Sequence, residues 1–445
     1  MKVIVIFLML AGFVQAQDIP YQDPEFECIS SADAERYVRD FNINVSSFGG
    51  MELCNAKVDT KKLFNDLQIL EQGKFDADSQ NKFVRGFVSV NNYYQWMRGE
   101  TRGVERGQDV PYATAYNRGG YFTMQDGWAK LSTLGRVGTI VHEARHTGGY
   151  YHITCQQGPY KDTSVSGCDT NYNYGGSHAV EMEYYARVAV QGTNYHPVYK
   201  KMARLMAIAR SNIFFNTPVI SVREGVLALS QDRKVAQLFD QGQWYNREVP
   251  AVNGSLRRTS FGAVIFDGLK AFAIELYKNS GFSDVVADTY SYYKLLAENS
   301  GAVKDFREFD AGPKRFVVKI SQDNKITPYD FPNGTWGRSM DAGFNVVKAS
   351  SAALGRTDSG LYLVSSSGEI YNYQPQNQRI TKTGLSWSPE FKEVIVYKGQ
   401  NLVLKNDGRI YLQGKSGLEP WVETSNLYSD LVSTPVYDGF EVNKE

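Results

Sequence analysis

In the second half of the chain a strand-turn-strand pattern returns five times. Its turns open at Ser230, Asn279, Ser321, Ser365 and Lys405, which are 49, 42, 44 and 40 residues apart. A short run such as Phe316-Val317-Val318-Lys319-Ile320 before Ser321-Gln322-Asp323-Asn324 cannot bury its apolar residues alone, so units of this length must stack on one another. The spacing is that of a four-stranded propeller blade. Further strands precede the hairpins at Phe261 to Phe266 and at Val394 to Tyr397. Five units fill residues 215 to 445, and a five-bladed β-propeller is expected, with a sandwich or an irregular all-strand module as the alternative. Leu431 to Val442 is expected to close the ring against the first blade and so remove the open sheet edges.

Ahead of the Asn216-Thr217-Pro218 break the apolar period is mostly helical. Asp59 or Thr60 is expected to begin a helix whose Leu63, Phe64, Leu67 and Leu70 form one face. Another is expected from Ser79 to Met97, on the spacing of Phe83, Phe87, Val90 and Tyr94. Strands are expected at Tyr112 to Tyr116 and Tyr121 to Met124, then helices at Trp128 to His146, from Ser177 or His178 onward, and at His196 to Ile213. The chain therefore reads as multidomain: an α+β module over residues 17–214 and an all-β module over 215–445. Its 445 residues exceed one ordinary core.

Three of the five histidines fall in His142-Glu143-Ala144-Arg145-His146-Thr147-Gly148-Gly149-Tyr150-Tyr151-His152. On a helix His142 and His146 lie one turn apart on the same face, where both imidazoles reach one ion. Gly148 and Gly149 give the backbone freedom to end the helix and bring His152 back to that ion. Three neutral imidazoles leave a coordination position open, as catalytic zinc sites do, and Glu143 beside them suits a general base that takes a proton from attacking water.

The run matches His-Glu-x-x-His-x-x-Gly-x-x-His and resembles the extended zinc signature of the metzincin metallopeptidases. That resemblance implies a zincin-like catalytic module, Zn2+ on His142, His146 and His152, Glu143 as general base, and Gly149 as the glycine of the turn. It also implies an edge strand that binds extended substrate, for which Gly120 to Met124 is the candidate. Met182, Met202 and Met206 fall in helical stretches rather than in a turn, so the chain diverges from that clan. Glu183 or Glu181 is the alternative third ligand, as in a His, His, Glu site, and an unused glutamate can orient a ligand histidine. Tyr150, Tyr151, Tyr172, Tyr174 and His178 are candidates for oxyanion or substrate contacts, His196 is a further candidate for substrate contact, and Arg145 is expected in a supporting pair.

Residues 1–16 carry the charged start, apolar centre and small-residue exit of a signal peptide, so a secreted or periplasmic protein is expected. In that compartment Cys28 is expected to pair with Cys54, and Cys155 with Cys168. Lys plus Arg equals Asp plus Glu at 48 each, which gives no electrostatic basis for a nucleic-acid partner, and no later stretch is long and apolar enough for a transmembrane anchor. The function expected is a secreted zinc endopeptidase acting on protein or peptide. The alternatives are a peptidoglycan peptide amidase and a non-enzymatic adhesion protein whose propeller binds a glycan, cell-wall or protein ligand, with Tyr371, Tyr373 and Trp421 as candidate surface aromatics.

Overall fold

The computed structural model describes residues 18–76, 81–88, 92–108, 110, 113–217, 219–247, 249, 253–274, 291–298, 303–356 and 360–438. The expected signal peptide and the Asn279 turn lie outside these residues.

The first part is helical around a small mixed sheet. Helices α1 (Ser31–Phe41), α2 (Asp59–Gln72) and α3 (Tyr93–Glu100) precede strands β1 (Gly103–Arg106), β2 (Ala115–Arg118) and β3 (Tyr121–Met124). A single turn, α4 (Asp126–Ala129), leads into α5 (Thr133–His146), and after the short strands β4 (Ile153–Thr154) and β5 (Ser166–Cys168) come α6 (Ser177–Val190) and α7 (Pro197–Ile213). The expected apolar face of α2 is buried, with Leu63, Phe64, Leu67 and Leu70 all at 2% exposure or less.

Two expectations about this part need correction. The helix expected from Trp128 to His146 is interrupted, because Ser132 caps a new one by accepting from Gly135 N. Of the helix expected from Ser79 to Met97, the described residues form a helix only from Tyr93 onward, as α3. Of the residues that gave its spacing, Phe83 is buried and Phe87 is half-buried against the core, both outside any helix. Between them Gly86 sits at φ +75°, and the backbone N–H groups of Arg85, Gly86 and Phe87 wrap the Glu183 carboxylate instead of bonding along a helix.

Helix α5 is mounted rigidly. The Arg136 guanidinium donates to both carboxylate oxygens of Asp66 on α2 at 3.0 Å, a buried bidentate pair. Gly138 lets Tyr185 of α6 lie directly against the α5 backbone.

The second part is a β-propeller of five antiparallel sheets. Its strands are β6 (Val222–Ser230), β7 (Ala236–Asp240) and β8 (Gln243–Arg247); β9 (Ser255–Thr259), β10 (Gly262–Phe266) and β11 (Ala271–Ile274); then, after helix α8 (Ser291–Glu298), β12 (Val303–Ala311), β13 (Lys314–Ser321), β14 (Lys325–Asp330), β15 (Thr335–Trp336) and β16 (Met340–Asp341). The fourth and fifth sheets are β17 (Val346–Ser350) to β20 (Arg379–Ser386) and β21 (Phe391–Tyr397) to β24 (Gly417–Pro420), and β25 (Tyr428–Tyr437) ends the chain's described strands. Strand β25 pairs antiparallel with β6, so the first sheet runs β25-β6-β7-β8 and the ring is closed by the expected C-terminal segment.

Polar contacts stitch neighbouring sheets near the axis. Arg257 of β9 meets Asp305 of β12 at 2.6 Å, Arg307 donates to the Ala349 carbonyl of β17, Lys348 meets Glu393 of β21 at 3.1 Å, and Asp430 of β25 accepts from Leu256 N. Tyr373 and Trp421, candidates for surface binding, are 1% and 7% exposed and fill the apolar layers between strands, while Tyr371 stacks on Phe344. Buried apolar residues of the two parts form one continuous cluster that includes Ile208 of α7, Phe261 and Tyr293.

Candidate metal centre

The helical spacing of His142 and His146 brings their rings to 4.9 Å between centroids, with Nε2 atoms 3.2 Å apart. Helix α5 ends at His146, Gly149 N donates to the His146 carbonyl, and Gly149 takes φ +83°, a left-handed backbone that glycine adopts without strain. That turn returns His152, whose Nε2 lies 3.0 Å from His142 Nε2 and whose ring lies 4.8 Å from that of His146.

The other edge of each ring faces an acceptor. His142 Nδ1 is 3.2 Å from Glu181 Oε2, His152 Nδ1 is 3.3 Å from Asp169 Oδ1, and His146 Nδ1 meets the Tyr150 carbonyl with the Ser177 hydroxyl 3.0 Å away. Neither carboxylate brings a proton. Arg210 and the imidazoles hold Glu181 well below the usual carboxylate range against its burial, and the imidazoles hold Asp169 low in the same way. A carboxylate at Nδ1 favours the proton there on His142, which leaves the His142 Nε2 lone pair facing the Nε2 atoms of His146 and His152. Burial favours the neutral rings that coordination requires, lowering His142 and pushing His146 down to about 3.

Lone pairs at this separation repel unless a cation lies among them. A tetrahedral ion with metal–nitrogen bonds of about 2.0–2.1 Å spaces its nitrogens about 3.3–3.4 Å apart, close to what is seen. Two groups sharing His142 could hold a metal ion here, His142 with Glu143 and His146, and His142 with His152 and His178. Glu143 stands beside it, 4% exposed, with Oε2 buried and without a hydrogen-bond partner. Burial, and then the charge of Glu181, push its carboxyl up to about 8.

The remaining candidates are distributed differently. Glu183 is occupied by the 85–87 backbone and by Arg187 at 3.2 Å, away from the imidazoles. Tyr172 is buried and donates to the Phe83 carbonyl, whereas His178 is buried with Nε2 3.0 Å from the Gly167 carbonyl and Nδ1 without a hydrogen-bond partner, beside His142 and His152. Tyr151 and Tyr174 are 75% and 51% exposed, Tyr150 lies under the Arg145 guanidinium at 3.8 Å, and His196 caps α7 by accepting from Val198 N. Strand β3, the candidate substrate edge, is the central strand, parallel to β1 and antiparallel to β2, so both its edges are taken. The free edge belongs to β2, which Asn117 ties to the Glu143 carbonyl and to Thr147 of the α5 end.

Asp169, Ser177 and Arg210 carry no motif, and sequence reasoning did not find them. The one hint was that Asp169 follows Cys168, so a disulfide between Cys155 and Cys168 would bring it under His152. Both expected disulfides are present.

No family model and no curated protein matches this chain. Among solved structures it is similar to BBS1N in complex with ARL6DN (12% identity, 46% of this chain and 65% of that chain, TM-score 0.25), to AztD from Citrobacter koseri (9%, 52% and 66%, 0.23) and to Saccharomyces cerevisiae Sqt1 (12%, 46% and 65%, 0.23). The matches span less than two thirds of those chains' lengths, and at these scores they carry no functional argument.

Proposed function

We propose that the protein is a zinc-dependent hydrolase of peptide bonds, with His142, His146 and His152 holding the ion and Glu143 acting as general base. Zinc supplies a Lewis acid for the scissile carbonyl and makes water acidic enough to lose a proton near neutral pH. The chain's own residues do the rest. Glu143 Oε2, buried and unpartnered, accepts the proton of the attacking water and returns it to the leaving nitrogen. Glu181, Asp169 and the Tyr150 carbonyl orient the three rings. The observation that carries the reading is that the Nε2 atoms of His146 and His152 both lie within 3.2 Å of His142 Nε2, beside an unpartnered carboxylate.

We propose further that the protein works outside the cytoplasm, since all four cysteines are paired. Among the described residues no helix is long and apolar enough to cross a membrane.

Glu143→Gln is expected to retain one zinc per chain and lose hydrolysis, whereas His146→Ala loses both. Metal content by elemental analysis and cleavage of an unfolded protein are the readouts, with purified cell wall as a second substrate to separate protein from peptidoglycan peptides. Turnover by Glu143→Gln at the wild-type rate refutes the general base. A second reading, a binding protein in which the propeller acts and the metal only braces the first module, is favoured by a cavity of about 370 Å³ on the propeller axis, lined by Arg258, Glu308, Arg315 and Tyr437. A fourth protein ligand on the bound ion would favour that reading over hydrolysis.

A further inference from the structure

His152 is the one member of the imidazole trio that no helix holds. It lies between the end of α5 and β4, its side chain 19% exposed. Asp169 meets the edge of its ring, but a contact at one edge leaves the plane free to tilt. The plane is set by what lies against its face.

His178 stacks on His152 with centroids 4.5 Å apart and planes at 21°. Phe214 stacks on His178 at 4.2 Å and 17°, and Tyr160 stacks on Phe214 at 5.6 Å and 27°. The pile meets the propeller at Phe331, just after β14, edge to face at 6.2 Å. Each plate is also held independently. His178 is fixed by the Gly167 carbonyl at 3.0 Å and by edge contact with His142, Phe214 lies under the Arg210 guanidinium, and the loop carrying Tyr160 is tied to the propeller by Gly158 N donating to the Pro313 carbonyl at 2.9 Å. Near-parallel rings in close contact lose dispersion along the whole pile when one of them tilts.

We propose that His178, Phe214 and Tyr160 are positioning residues that fix the plane of His152, and that through Phe331 the propeller strengthens metal binding at the first module. The proposal rests on His142, His146 and His152 being the ligands. His178 belongs with His142 and His152 to a group that could hold an ion, and recovery of affinity by His178→Phe is what separates a support from a ligand. An imidazole binds a metal through a lone pair in its own plane, so a ring left free to tilt has to be ordered at the moment of binding and holds the ion more weakly.

The test uses the full-length chain, with zinc affinity measured by competition with a chromophoric chelator and with the visible spectrum of the Co2+-loaded protein as a report on ligand number and geometry. His178→Ala is expected to weaken zinc binding by about 10–100-fold, the range for residues that support metal ligands, and to alter the cobalt spectrum. His178→Phe keeps a flat ring and is expected to recover most of the affinity, and Phe331→Ala to lose a smaller part of it. In a His152→Ala background, His178→Ala should change nothing further. If His178→Ala does not fold, Phe214→Leu removes the plate behind it at similar volume and is expected to weaken binding in the same way. A His178→Phe variant as weak as alanine, or an undiminished effect without His152, overturns the proposal. A wild-type chain that takes up no zinc overturns the metal-centre reading and this proposal with it, whereas tight wild-type binding with indifferent variants overturns the mount alone.

Discussion

Gly138→Ala tests whether the contact between α5 and α6 holds the histidines in place. A Cβ built on Gly138 lies 2.9 Å from Cε1 of Tyr185 and closer still to Cζ and Oη, so the ring or the helix has to move. Tyr185 is fully buried and its hydroxyl donates to Glu181 Oε1 at 3.0 Å. The other oxygen of that carboxylate faces His142 Nδ1. Replacing a helical glycine by alanine gains about 1 kcal/mol of helix propensity. Against it stand overpacking at about 1–3 kcal/mol and a lost hydrogen bond to a charged acceptor at about 1.5–3 kcal/mol. The net expectation is a loss of about 2–4 kcal/mol, measured by chemical denaturation of the metal-free chain, together with weaker zinc binding. Tyr185→Phe already lacks the hydroxyl, so the double variant should lose less than the sum of the two single changes. A stability change within about 0.5 kcal/mol for Gly138→Ala would show that the helices are not in close contact here, and the account of how Glu181 is held would fail.

Asp169→Asn keeps an acceptor for Ala179 N but removes the charge facing His152, and zinc affinity by chelator competition should fall about 10-fold or more while the apo chain stays folded. Cys155→Ser with Cys168→Ser opens a loop of 13 residues' separation, and denaturant unfolding should show a loss of about 3 kcal/mol. Unchanged stability there would mean that the loop is already fixed by its contacts with α7 and the propeller.

The propeller was legible because each blade repeats the same local bargain between a two-residue side-chain period and a tight turn, and because β25 could be recognised as a strand left over after five units. Both disulfides could be read from chain order alone. The candidate metal site was legible only where its chemistry is local. His142, Glu143, His146 and Gly149 lie on one helix and its exit, where spacing is geometry. Asp169 and Phe214 reach His152 only through the fold, and nothing near them in the chain marks their use. His178 illustrates the same limit, since a histidine following a turn looks available for substrate until the ring stack around it is seen. Residues 81–88 failed for another reason. Their apolar spacing fits a helix, but the buried Glu183 carboxylate on α6 competes for the same amides, and tertiary contact overrides local preference.

The pairing of β25 with β6 has a consequence for the order of events during synthesis. The inner edge of the first blade is made by residue 230, but its partner begins at residue 428, roughly 200 residues later. At a ribosomal pace of about 5–20 residues per second, that edge waits on the order of 10–40 s for its mate. Throughout the wait a nascent chain carries an unsatisfied strand beside a helical module that already has all its residues. Whatever shields that strand while translation finishes would meet the protein before any substrate does.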